Sequence, residues 1–91
     1  MMISFTVSYD FISIKNYKLL IDELERLGAH RSQDSFWLVA CNNTAKGLHD
    51  YLRKFMDDDD KLWVSELTRN HHYTQANSGK NAWIAQNPLA R

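Results

Sequence analysis

From Met1 to Asp10 the chain alternates. Ile3, Phe5, Val7 and Tyr9 fall on one side of an extended backbone, and Ser4, Thr6, Ser8 and Asp10 fall on the other. The pattern predicts a strand with one face for helices to cover and one face lined by hydroxyls that closes on a carboxylate. Asp10 at such a strand end either tightens the following turn or carries chemistry. After a loop at Phe11 to Lys15, Asn16 is a suitable N-cap for a helix whose apolar residues Tyr17, Leu20, Ile21, Leu24 and Leu27 recur at helical spacing, with Gly28 as its stop. Asp22 and Arg26, four residues apart, make a supporting pair on its exposed flank. His30 to Val39 turns toward strand formers. Asp34 and Ser35 break it into a short strand and a longer one, Phe36 to Cys41, which together read as a hairpin.

Three successive cap-type residues, Asn42, Asn43 and Thr44, start a second helix with Ala45, Leu48, Leu52, Phe55 and Met56 as its buried stripe. Arg53 and Lys54 suit the negative end of its dipole. Asp57 to Asp60 form a solvated turn, and Leu62 to Thr68 read as a strand in which Leu62, Trp63 and Val64 imply burial on at least one face. The order β-α-β-β-α-β is that of a ferredoxin-like α+β fold, an antiparallel sheet with both helices on one face. Residues 1–68 make this core. Residues 69–91 are polar up to Lys80 and then offer Ala82, Trp83 and Ile84 before Pro88, which reads as a C-terminal arm or an extra short strand of the same domain.

The chain has 91 residues, 44% hydrophobic and 24% charged, as expected of one globular domain. A chain of this length buries only roughly 60–65% of its unfolded surface, so a homodimer is expected. No apolar run reaches the roughly 18 residues of a membrane span, and the N-terminus lacks the basic and apolar regions of a signal peptide, which points to a cytoplasmic protein. Cys41 is a lone cysteine without a disulfide or zinc companion and reads as a small apolar strand residue.

Net charge is zero but unevenly spread. Residues 1–60 carry seven Lys or Arg against ten Asp or Glu, and residues 61–91 carry four against one. The C-terminal third is the natural partner for an anion. There Arg69, His71, His72, Tyr73 and Lys80 combine cationic or titratable groups with an aromatic ring, a set suited to nucleic-acid backbone contact and base stacking, or else to a polar exposed linker. His71 and His72 are adjacent, so on a strand they point apart and do not share a metal. Phe36 to Cys41 lacks the basic-glycine-aromatic pattern of an RNA-recognition motif, and the chain has no glycine-rich phosphate loop or nucleophile elbow.

With Tyr9-Asp10 closing the first strand, Ser35-Phe36-Trp37 opening the third, and a second helix, acidic linker and final strand over Leu48 to Leu67, the chain resembles the CRISPR-associated "Cas two" family of small nucleases and, through it, the VapD-type toxins. The resemblance spans residues 2 to roughly 68. It implies a homodimer in which the Asp10 carboxylates of two chains face each other and hold Mg²⁺, with Ser35 or Ser8 positioning phosphate. The implied activity is a metal-dependent endonuclease, RNA favoured. It also implies a C-terminal strand, here around Ala82 to Ile84, that adds to the neighbour's sheet. A second implication is a non-catalytic dimeric adaptor in CRISPR adaptation, working with an integrase-type nuclease. The region around the first helix offers Lys15, Lys18 and Arg31 within an acidic excess, which sets the chain apart from relatives that grip duplex DNA.

Overall fold

The computed structural model describes residues 2–10 and 17–91; the loop expected at Phe11 to Lys15, the Asn16 cap and the Tyr17 side chain lie outside the described residues. The elements are β1 (Ile3–Asp10), α1 (Tyr17–Arg26), β2 (His30–Gln33), β3 (Phe36–Cys41), α2 (Ala45–Arg53), β4 (Lys61–Glu66) and α3 (Lys80–Gln86). Four antiparallel strands in the order β2-β3-β1-β4 form one sheet, an α+β arrangement compatible with a ferredoxin-like fold.

The alternation in β1 sorts its residues as its sequence implies. Phe5, Val7 and Tyr9 are buried with Trp37 and Val39 of β3 beneath Leu20 and Leu24 of α1 and Leu48 and Leu52 of α2. This first face holds the main core. The polar parts of its large aromatics are matched, since the Trp37 indole donates to the Tyr9 hydroxyl at 2.9 Å. α1 ends at Gly28, whose φ of 74° is open to glycine at little cost. Gly28 N–H donates to Glu25 and Ala29 N–H to Leu24, the paired bonds of a Schellman stop. Thr44 caps α2 by accepting from Gly47 N–H at 3.0 Å.

Three local expectations change. Arg26 does not pair with Asp22, which takes Lys18 instead at 2.7 Å. It reaches Glu23, whose buried carboxylate also accepts from the Tyr51 hydroxyl of α2 and so ties the two helices together. Phe55 and Met56 lie beyond the end of α2, half-buried against the core. The acidic turn is not wholly solvated. Arg53 donates to the carbonyls of Asp57 and Asp60, Asp60 accepts from Asp57 N–H, and Asp60 is buried. Arg53 therefore closes a loop rather than only facing a helix dipole.

The larger differences lie on the second face. Trp63 is not buried at all; it is 72% exposed, while its neighbours Leu62 and Val64 turn to the main core. The C-terminal arm holds a helix, not a strand, and in this chain it lies on its own sheet. Trp83 and Leu89 pack on Leu38 and Leu67 and bury Ser4 beneath them. The Trp83 indole donates to Gly28 carbonyl at 2.9 Å, which pins α3 to the end of α1. With the backbone of 80–86 bonded inside a helix, that segment has no strand edge to add to another sheet. Further along, Asn77 N–H donates to Ser32 carbonyl at 2.8 Å and its side chain to Arg31 carbonyl at 2.8 Å, so the arm also covers the outer edge of β2.

Candidate functional site

The residues singled out in the sequence fall into two groups, one at the end of β1 and one on the C-terminal arm. Asp10 is exposed where β1 ends, on the same side of the sheet as Ser8 and Trp63. Ser35 sits in the β2–β3 turn next to it, because Ser35 carbonyl accepts from Tyr9 N–H at 3.2 Å. That turn is held by Arg31, whose guanidinium donates twice to Asp34 carbonyl, at 2.9 and 2.6 Å. The fold thus brings Asp10 and Ser35 to one end of the sheet. It adds Lys61, which faces Asp10 directly in the antiparallel register. Neither Lys61 nor the exposed ring of Trp63 was expected there. The signal that finds them is the pairing register, since opposite positions place side chains about 5 Å apart on one face.

Asp10 and, in the adjoining turn, Asp34 are exposed acids at this end of the sheet. Among the described residues no group of three or more His, Cys, Asp and Glu converges on a point. Of the acidic run, Asp57 and Asp60 are held in the Arg53 turn, while Asp58 and Asp59 are exposed. Cys41 faces the core edge, and burial pushes its thiol up, away from the reactive thiolate.

The second group follows β4. Leu67 N–H donates to Ser4 carbonyl, so the arm starts near the opposite end of β1 from Asp10, roughly 20 Å away at about 3.3 Å per residue. Arg69 is fixed by two bonds: its N–H donates to Arg91 carbonyl at 2.7 Å and its guanidinium to Leu89 carbonyl at 3.2 Å. His71 Nδ1 lies 2.6 Å from Thr68 carbonyl, and its Nε2 lies 3.3 Å from Lys80 Nζ. Lys80 Nζ stands over the Tyr73 ring, 3.9 Å from its centre, a cation–π contact. Arg69, His71 and Lys80 therefore share one open groove of about 420 Å³, also lined by Ile84, Ala85, Pro88 and Leu89. His72 is not in it. With His71, Tyr73 and Lys80 it lines a narrower cleft of about 100 Å³ against Phe36, Leu38 and Leu67. The expected basic cluster is thus assembled over two clefts that share His71 and Lys80, and Asp10 lines neither.

Compared with known proteins, the chain matches no family model and no solved structure.

Proposed function

We propose that this protein is a dimeric, nucleic-acid-processing phosphodiesterase, a Cas-two-like endonuclease with RNA as the favoured substrate, in which Asp10 residues of two protomers hold one Mg²⁺. The observation that carries the reading is the placement of exposed Asp10 on the part of the second face that the arm leaves uncovered, beside an indole, Trp63, that is 72% exposed. A large apolar ring so exposed on a small protein fits a contact with another macromolecule. A second copy laid against it would cover the ring and bring its own Asp10 near the first.

The donor set fits the ion. Mg²⁺ binds through one or two carboxylates and keeps its remaining positions for water and phosphate oxygens. An exposed Asp10, with no converging cluster among the described residues, suits a site completed by a second protomer. Bound there, the ion would lend charge to polarise a phosphodiester and to make a coordinated water more acidic. The chain's own groups do the rest. Asp10 contributes the ligand oxygen from a rigid strand end, Ser35 offers a hydroxyl donor for a phosphate oxygen, and Lys61 across from Asp10 balances the charge of an approaching backbone.

A non-catalytic dimeric adaptor is the second reading, with an integrase-type nuclease as its partner. It is favoured by the separation of the cationic groove from Asp10. Purified protein incubated with labelled single-stranded RNA or duplex DNA, in Mg²⁺ or chelator, decides between them. Cleavage that requires metal and is lost in Asp10→Asn, with the dimer unchanged by light scattering, supports the nuclease. Partner or nucleic-acid binding that survives Asp10→Asn, without cleavage by the native protein, replaces it with the adaptor.

A further inference from the structure

The groove formed by the arm has no role in the chemistry around Asp10, and its composition is unusual for a surface linker. Residues 69–91 include Arg69, Lys80 and Arg91, two histidines and no Asp or Glu. Among the described residues, Arg69 and Lys80 make no ion pair with a carboxylate, while Arg91 faces Glu66 at 3.5 Å. Two cations are thus held in place by partners other than carboxylates: Arg69 by Leu89 carbonyl, Lys80 by His71 and the Tyr73 ring. Fixing cations without neutralising them leaves their charge for a ligand. Arg69 keeps guanidinium N–H groups beyond the one used on Leu89, and Lys80 has three donors.

Beside these cations the groove is lined by the apolar residues Ile84, Pro88 and Leu89. A volume of about 420 Å³ lies in the range of small-molecule clefts. A duplex presents its phosphates outward with its bases stacked inside, so it would satisfy the cations and leave the apolar residues unmatched. An unpaired nucleotide brings both an anionic phosphate and a flat, largely apolar base or sugar edge.

We propose that the groove lined by Arg69, His71 and Lys80 together with Ile84, Pro88 and Leu89 is an anchoring site for a single-stranded nucleic acid, one nucleotide of which seats its phosphate on the cations and its base or sugar on the apolar residues. It rests on the nucleic-acid part of the function proposed above but not on catalysis, since Asp10 does not line the groove.

The test is binding in chelator, where cleavage does not intervene, using Asp10→Asn protein with a fluorescein-labelled 12-nucleotide single strand and its duplex, followed by anisotropy at several salt concentrations. The expected result is tighter binding of the single strand than of the duplex by fivefold or more. Lys80→Gln should weaken the single strand by about five- to tenfold and lower the salt slope by about 0.7, as one lost phosphate contact does. Ala85→Glu puts a negative charge on an exposed groove position away from the core and should abolish binding with the melting temperature unchanged. Equal binding of single strand and duplex, or native affinity in Ala85→Glu, overturns the proposal. Failure of the nuclease assay with these binding results intact removes the Mg²⁺ site and keeps the groove.

Discussion

Glu23 offers a direct measure of what joins the two helices over the core. Its carboxylate is buried, with a side chain only 9% exposed, and receives the Arg26 guanidinium and the Tyr51 hydroxyl. Those two hydrogen bonds hold its pKa down, from an ordinary 4.5 to about 2. At about 1.4 kcal/mol per pH unit, that difference sets a ceiling of ~3 kcal/mol on the tie. Arg26 itself is 63% exposed, and solvent screening of its charge reduces the value to ~1–2 kcal/mol. The sign follows from linkage. The folded carboxyl titrates below the unfolded one, so its contribution is complete above about pH 5 and is lost as pH falls through 4.5 toward 2. Urea unfolding of the native protein and Glu23→Gln, carried from pH 7 down to pH 2.5, isolates this group, because the other carboxylates cancel in the difference. The variant should be less stable by ~1–2 kcal/mol at pH 7, and the gap should narrow below pH 4. A gap that is absent at pH 7, or that stays constant to pH 2.5, would refute the assignment of the tie to an ionised Glu23.

Trp83→Ala removes the indole that pins α3 to Gly28 carbonyl and fills the second cluster, a change worth ~3–5 kcal/mol in a packed site. It should release the arm selectively, so that trypsin cuts at Arg69 and Lys80 early while amides of β1 and β3 stay protected in hydrogen exchange; uniform loss of protection would show that the arm is integral to the core. Thr44→Ala removes the cap of α2 and should lower stability by ~1 kcal/mol, seen as a fall of about 4–8 °C in Tm for a domain of this size, and an unchanged Tm would mean that Asn43 or solvent replaces the cap.

The parts of the fold carried by strict periodicity were legible. The alternation of β1, the helical stripes Leu20–Leu24 and Leu48–Leu52, the hairpin break at Asp34–Ser35 and the Thr44 cap all follow from local patterns, and the structure places them so. What local patterns cannot carry is which surface meets a distant segment. Trp63 looks like a core residue because it is large and flanked by Leu62 and Val64, yet in a strand its neighbours point to the other face, and the arm covers the opposite end of its own face. The arm reads as an extra short strand or an arm because Trp83, beside Ile84, is too apolar for a disordered end. Ala82, Ala85 and Gln86 around them, Gly79 before and Pro88 after are the marks of a short helix, outweighed by two large side chains. For the candidate sites, the basic character of 69–80 was visible in the charge asymmetry, but that Arg69 and Lys80 share a groove while His72 lies outside it depends on how the arm crosses the sheet. Lys61 came to Asp10 through a strand register that no single segment encodes.

Asn77, bonded along Ser32 and Arg31, acts as a stopper on one rim of the sheet. Of the two outer strands, β2 is occupied in this way and β4 is the other rim. A sheet with two open rims can recruit copies at both and grow without end, the geometry of a fibre. With one rim stopped, any joining of sheets through backbone hydrogen bonds can use β4 alone, and once two copies have paired β4 to β4 there is nothing left to extend. The same arm that builds the cationic groove therefore also occupies one rim of the sheet, and loosening Asn77 would expose β2 beside β4.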